Sequence, residues 1–370
     1  MAQSKAVQIL GTRGVPAKHG GFETFAEQLS LFLVKRGWDV TVYCQLPAGK
    51  QGFTDSWNGI RRIHLSAGSG TFGTMEFDLK ATLRAAKERG VPLVLGYNTA
   101  ILSLLFRVIR RKSVMNMDGI EWRRQKWSPQ ARVWLRINEF LGARLSDHLV
   151  ADHPCIKQHL LRHTRAEKIT VIPYGAEAVL SSDETLLERF GVKRGAYFVV
   201  IARPEPENSI LEIVHALSFC PRGVRLVLLG EYQPDKNPYH AKVLQVAGPE
   251  CVFPGAIYDA NTVRALRFYA RAYLHGHQVG GTNPSLVEAL GCGSAVIAHD
   301  NPFNRWVAGD AALYFSDELT LDKHLRSLTE DDVLVSRLQD SARARFAYEF
   351  TEDKVLGAYE ALLEQYAVQP

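Results

Sequence analysis

Cysteine is scarce in this chain. The 370 residues include five, Cys44, Cys155, Cys220, Cys251 and Cys292, scattered and with no close pair. That distribution excludes a disulfide framework and a zinc finger, and predicts a reducing compartment. Long apolar runs are missing as well. The stretch 100–106 is broken by Ser103, far short of the ~20 residues a spanning helix needs. No basic-then-apolar leader opens the sequence, so a cytoplasmic protein is expected. An Asp-x-Asp metal motif is absent. What is present is ordinary in bulk, 46% hydrophobic and 22% charged, which excludes a disordered or collagen-like chain. The length suggests two domains. Charge is unevenly spread. Residues 1–180 hold 26 basic and 14 acidic side chains, a net +12; residues 181–370 hold 18 and 25, a net −7. A basic half predicts an anionic partner: nucleic acid, a membrane surface or a phosphorylated substrate.

Short apolar runs alternate with amphipathic stretches throughout. Strands are expected at 6–11, 40–43, 62–65, 91–95, 113–117 and 148–151, with helices at 22–36, 77–89, 132–145 and 154–163. The rhythm then repeats. Strands are expected at 197–201, 225–229, 272–275, 295–298 and 313–315. Helices are expected at 210–219, 238–246, 262–269, 284–290, 334–349 and 353–366. Residues 173–180 are the candidate linker. Continuously apolar strands alternating with helices predict parallel sheets covered on both faces. The expected fold class is therefore α/β, two doubly wound Rossmann-like domains facing across a cleft. Residues 1–173 joined by a C-terminal helix over 352–370 would form one, and residues 174–351 the other. Such sheets bind ligands at the carboxyl ends of their strands.

Three segments suit phosphate or sugar. The loop 11–21 runs from the first strand into a helix with four glycines, Arg13, Lys18 and His19. It lacks the Gly-Lys-Ser/Thr of a P-loop and the Gly-x-Gly-x-x-Gly spacing of dinucleotide binders. Its glycines allow close approach, and the helix N-terminus favours anions. The alternative is a plain strand-to-helix turn. In segment 279–293, two glycines, Gly280 and Gly281, precede Thr282 and Asn283, both good N-caps, and Pro284 suits the first helical position. Glu288 lies one turn further, within reach of a ribose hydroxyl pair. The alternative is a capped helix with an exposed Glu. In segment 200–208, Arg203 ends a strand, where it can clamp a diphosphate or else pair with Glu205 or Glu207. A fourth feature spans 107–136: nine cations against Asp118 and Glu121, interleaved with Trp122, Trp127 and Trp134. Anionic bilayers and nucleic acids both attract such a mixture. The alternative is a solvated basic face with the tryptophans in the core.

These segments, with 116–122 and 298–304, resemble family 4 glycosyltransferases of the GT-B architecture, and within them bacterial rhamnosyltransferase-like enzymes of polysaccharide assembly. The resemblance spans essentially the whole chain. It implies a retaining transfer of a sugar from a nucleoside diphosphate, with dTDP-L-rhamnose the expected donor, to a polyprenyl-diphosphate-linked saccharide. It implies Asp118, Arg203 and Glu288 as catalytic residues. Donor contacts would come from Gly20, Gly21, Arg203, His277, Gly281, Thr282, Asn283 and Glu288. Acceptor contacts would come from Arg13, Lys18, His19, Glu121, Trp122 and Arg123. No cofactor or metal is expected, and residues 107–136 would rest on the anionic inner face of the plasma membrane rather than on nucleic acid. Two positions depart from the broad family: Gly280 replaces the first of two glutamates eight apart, and Asn208 replaces a lysine five residues after the arginine. Gly280 is compatible with a deoxysugar, which lacks a hydroxyl for a glutamate to hold. A catalytically silent nucleotide-sugar-binding subunit, a nucleotide-sugar epimerase and a nucleic-acid-binding protein are the alternatives.

Overall fold

The computed structural model describes residues 5–17, 20–124 and 127–367. The chain divides into two compact units, residues 1–173 with 355–370, and residues 174–354.

The first unit is built in chain order from β1 (Ala6–Leu10), α1 (Gly21–Lys35), β2 (Asp39–Leu46), β3 (Phe53–Trp57), β4 (Ile60–Ser66) and α2 (Gly70–Ala85). It continues through β5 (Val91–Leu95), α3 (Ser103–Val108), β6 (Val114–Asn116), α4 (Pro129–Leu145), β7 (His148–Ala151), α5 (Pro154–Leu160) and β8 (Ile169–Val171). Its strands form one sheet in the order β3-β4-β2-β1-β5-β6-β7-β8. Every pairing is parallel except the β3–β4 hairpin at one edge. Asn58 and Gly59 turn that hairpin with positive φ at both, which is the twist a two-residue hairpin loop needs. The order reverses direction between β1 and β5. There Gly11 is obligatory, because a Cβ would lie 2.2 Å from the Leu95 carbonyl oxygen.

The second unit comprises β9 (Tyr197–Ile201), α6 (Ile210–Ser218), β10 (Arg225–Leu229), α7 (Pro238–Val246), β11 (Cys251–Gly255), α8 (Ala260–Phe268) and β12 (Ala272–His275). After these come α9 (Pro284–Gly291), β13 (Val296–His299), α10 (Pro302–Ala308), β14 (Ala312–Phe315), α11 (Glu318–Glu330) and α12 (Asp332–Glu349). A last helix, α13 (Glu352–Ala367), carries the chain back into the first unit from residue 355 onward. The six strands are all parallel, in the order β11-β10-β9-β12-β13-β14. Counted from β9, that is 3-2-1-4-5-6, the doubly wound order with its switch point between first and fourth strands. Two apolar clusters fill the unit, one including Tyr197, Tyr273 and Phe346, the other Phe198, Ile213 and Leu325.

The α/β reading holds. Six elements were not expected from sequence: β3, α3, β8, β11, α10 and α11. Helix α2 begins at Gly70 and ends at Ala85, not 77–89. Its early start sets Gly73 against Gly68, where a Cβ would meet the Gly68 carbonyl at 2.0 Å. At its end, the Arg111 guanidinium donates to the carbonyls of Ala85 and Glu88.

Candidate functional site

In the second unit the switch point opens between the carboxyl ends of β9 and β12. Arg203 follows β9 and is exposed, with no ion pair among the described residues. Neither Glu205 nor Glu207 neutralises it. Its backbone is fixed instead: the buried Asn208 donates from Nδ2 to the Arg203 carbonyl at 2.8 Å. Asn208 therefore braces the loop rather than reaching a ligand. Loops 203–209 and 276–278 are then laced together. Ser209, in the left-handed region, donates its hydroxyl to the Gly276 carbonyl at 2.8 Å, and the Gln278 amide donates to the Glu207 carbonyl at 2.9 Å. Only glycine fits at 276, since a Cβ would stand 2.1 Å from the Asn208 carbonyl oxygen.

His277 is half-buried and stacks on His275, ring centroids 4.3 Å apart at 11°. His275 is fully buried, and burial holds its imidazole well below the usual histidine range, so it is neutral at pH 7. Asn301 and Asn304 both donate to the His277 carbonyl, at 3.0 and 2.9 Å. That bracing is the work of segment 298–304.

Asn283 is the N-cap of α9, and its side chain accepts from the Ser285 amide at 3.0 Å, with Thr282 buried beside it. The Leu286 and Val287 amides bond back to the Asn283 carbonyl. The Ser285, Leu286 and Val287 amides are thus bonded within the chain. Gly280 and Gly281 stand in the remaining stretch of loop. Gly280 has φ 144°, with open space where a Cβ would be, so a glutamate here would fit sterically but strain the backbone.

Glu288 is not the lone exposed carboxylate of the bland reading. Its Oε2 pairs with Arg267 at 2.5 Å, and the carboxylate is half-exposed at 44%. Arg267 is buried and also donates to the Ser285 hydroxyl at 2.9 Å, which contacts the Tyr273 hydroxyl at 2.8 Å. Both hydroxyls also lie near the Ile201 carbonyl at the end of β9, at 3.3 and 3.4 Å, and whichever does not donate to the other donates there. Arg267, Ser285 and Tyr273 were missed in the sequence, since nothing in their spacing marks a network closed across three elements.

In the first unit the loop after β1 differs from expectation. Lys18 and His19 lie outside the described residues. Arg13 is exposed, but its amide donates to Glu23 Oε1 at 3.3 Å, and the Ala17 amide donates to Glu27 at 2.5 Å. A Cβ on Gly20 would lie 3.2 Å from Glu23 Oε2. The two acids of α1 already complement the loop's amides, so Gly20 faces a carboxylate, a poor setting for diphosphate and a good one for sugar hydroxyls. Arg13 and Glu23 line a cavity of about 600 Å³ with Cys44, Arg62, His64 and Thr74. Arg62 forks onto Asp55 at 2.9 and 2.6 Å and holds that carboxyl below its usual range. The signal for this cavity was legible: Gly68-Ser-Gly70-Thr-Phe-Gly73 has the spacing the first loop lacks, and it enters α2 beside it.

The turn after β6 carries the acids. Asn116 is buried, donates to the Tyr359 hydroxyl at 2.7 Å and accepts from the Asp118 amide at 2.8 Å. Asp118 has φ 49°, a strained left-handed position for a non-glycine residue. Glu121 and Trp122, expected as acceptor contacts, have internal partners in the fold. Glu121 accepts from Arg124 at 3.0 Å and from the Trp127 indole at 3.1 Å, so both its oxygens are engaged. The Trp122 indole donates to Glu139 Oε2 at 2.8 Å, and its ring lies between Arg123 and Arg136 at 5.3 and 5.4 Å. Arg123 itself is exposed.

Solved structures share this architecture over the whole chain. Sucrose-phosphate synthase from Thermosynechococcus elongatus superposes with a TM-score of 0.79, 16% identity and 98% of both chains covered. Anabaena HepE, solved in complex with UDP, gives 0.76, 16%, and 98% and 100%. WaaG, a glycosyltransferase involved in lipopolysaccharide biosynthesis, gives 0.70, 16%, and 96% and 99%. The chain has the GT-B glycosyltransferase fold. Residues 4–177 of this GT-B chain match a family model described as a domain of unknown function, DUF1972. No curated protein matches it.

Proposed function

We propose that the protein is a retaining glycosyltransferase. It moves a sugar, best L-rhamnose from dTDP-L-rhamnose, to a lipid-linked saccharide in cell-surface polysaccharide assembly. The observation that carries this is the second unit's 3-2-1-4-5-6 sheet, with Arg203, exposed and without an ion pair among the described residues, and the half-exposed Glu288 beside its switch point. That is where a doubly wound sheet takes a nucleotide. Likeness to a protein solved with UDP and with UDP and glucose supports a nucleoside diphosphate donor.

In this reading Glu288 holds the ribose, its carboxylate aimed by Arg267. Arg203 stabilises the leaving diphosphate, aided by Gly281 and the Thr282–Asn283 turn, with His277 alongside. No divalent metal enters the transfer step, because Arg203 supplies the charge. The first unit binds the acceptor through Arg13 and the carboxylate-lined loop, with Asp118 as a catalytic carboxylate. Exposed Arg107, Arg110, Lys112 and Arg136 neighbour exposed Val108, Val133, Ile137 and Phe140 on α3 and α4. Cations interleaved with apolar side chains favour an anionic bilayer over nucleic acid, and with it a site on the inner face of the plasma membrane. Lys126 lies outside the described residues.

A thermal-shift series of nucleoside diphosphates against the purified chain tests the donor. dTDP should raise Tm most, and dTDP-L-rhamnose should turn over without added Mg²⁺. Equal silence from dTDP, UDP and GDP would overturn the reading. Binding without turnover would favour a silent binding subunit.

A further inference from the structure

A buried cluster in the first unit stands apart from the donor site. Glu139, near the middle of α4, points Oε1 at two imidazoles. His159 Nε2 is 2.8 Å away and His163 Nε2 is 3.5 Å away. The ligating atoms all lie within 4.8 Å of one another. His159 stands in the last turn of α5 and His163 three residues past its end, and their rings stand nearly perpendicular at 82°. Glu139 and His159 are buried, 3% and 8% exposed, whereas His163 is 26% exposed. The other carboxylate oxygen, Oε2, is held by the Trp122 indole.

A hydrogen bond to His159 accounts for one of these contacts. It does not account for a second imidazole aiming the same nitrogen at the same oxygen of a buried carboxylate. The geometry points to a divalent cation site, with Glu139, His159 and His163 as ligands and zinc as the cation. Zinc takes imidazole and carboxylate donors at about 2.0–2.2 Å in a tetrahedron, so ligands stand roughly 3.3–3.5 Å apart. The Glu139–His163 distance already fits, and the Glu139–His159 contact opens by about half an ångström. Two nitrogens and one oxygen suit zinc better than Mg²⁺ or Ca²⁺. The indole bond to Oε2 orients the ligating carboxylate, as outer partners of metal ligands do. The exposed side of His163 supplies the entry path and a water position. Zinc here ties α4 to the end of α5 and, through Trp122, to the turn that carries Asp118. It is a structural site, independent of the transfer step.

The test uses the untagged full-length chain, stripped of metal by chelator and dialysed. Titration with Co²⁺ should give tetrahedral visible absorption saturating at one equivalent, displaced by Zn²⁺, and zinc should raise Tm. His163→Ala, at a half-exposed position the fold tolerates, should weaken zinc binding at least tenfold. His163→Cys should restore binding and add a thiolate-to-cobalt charge-transfer band. Failure of the wild type to take up one equivalent of zinc would overturn the proposal and leave a proton-bound cluster. Equal affinity in wild type and His163→Ala would overturn it too.

Discussion

Arg203 and Glu288 sit at one sheet edge but differ in what the fold asks of them. The exposed Arg203 side chain makes no ion pair or hydrogen bond among the described residues, so Arg203→Ala should leave Tm unchanged. Lost charge stabilisation of about 3 kcal/mol should lower kcat on the order of a hundredfold. Normal turnover in that variant would remove Arg203 from the mechanism. Glu288→Ala strips the buried Arg267 of its carboxylate, so it should cost stability, about 1–3 kcal/mol, as well as donor affinity. Thermal melts of the two apo variants separate these cases. Asp118 offers a cleaner substitution. Asparagine tolerates the left-handed backbone, so Asp118→Asn should fold normally and lose activity at unchanged nucleotide affinity. Arg203 just past β9 and Glu288 within α9 were legible from sequence. Their partners were not. Asn208 reads as a missing lysine in sequence and is a carbonyl brace in space. Glu23 and Glu27 carried no role in the sequence and in space accept the Arg13 and Ala17 amides of the loop after β1.

Helix α2 carries the clearest pH signature of any element. Asp78 bonds to the Thr99 hydroxyl at 2.8 Å, and burial pushes its carboxyl up to about 6. The folded state therefore keeps a proton that the unfolded chain releases near pH 4. Stability should fall as pH rises from about 4 to about 6, and Asp78→Asn should flatten that slope. Urea midpoints across this window check it; a wild-type midpoint that rises instead would refute the assignment. Strands buried on both faces, such as β5, β7, β9, β10 and β12, kept their expected bounds, because continuous apolar runs leave no other register. The polar β3 escaped notice since one face is solvent, although Asn58-Gly59 announced its hairpin. Helix α11 was equally readable: Asp317 caps it, and Leu321, Leu325 and Leu328 mark its buried face.

Across the whole molecule, the +12 of residues 1–180 is only partly free. Arg111 and Arg124 serve internal acceptors, whereas Arg107, Arg110, Lys112 and Arg136 remain exposed. Anionic vesicles should therefore retain the protein at low salt and release it as salt rises. Val133→Asp with Ile137→Asp should abolish co-sedimentation without lowering Tm, since both side chains are exposed. Retention unchanged in the double variant would refute the bilayer contact. The final helix also bears on how the protein is made. Tyr359 of α13 is fully buried against Phe25 and receives the Asn116 amide, and Tyr366 shares a hydrogen bond with His148. Those contacts belong to the unit whose strands are translated first. On the ribosome, β1 to β8 emerge long before residues 355–367 exist. The turn bearing Asp118 must stay unfinished while the entire second unit is synthesised, so this chain cannot mature strictly from its beginning to its end.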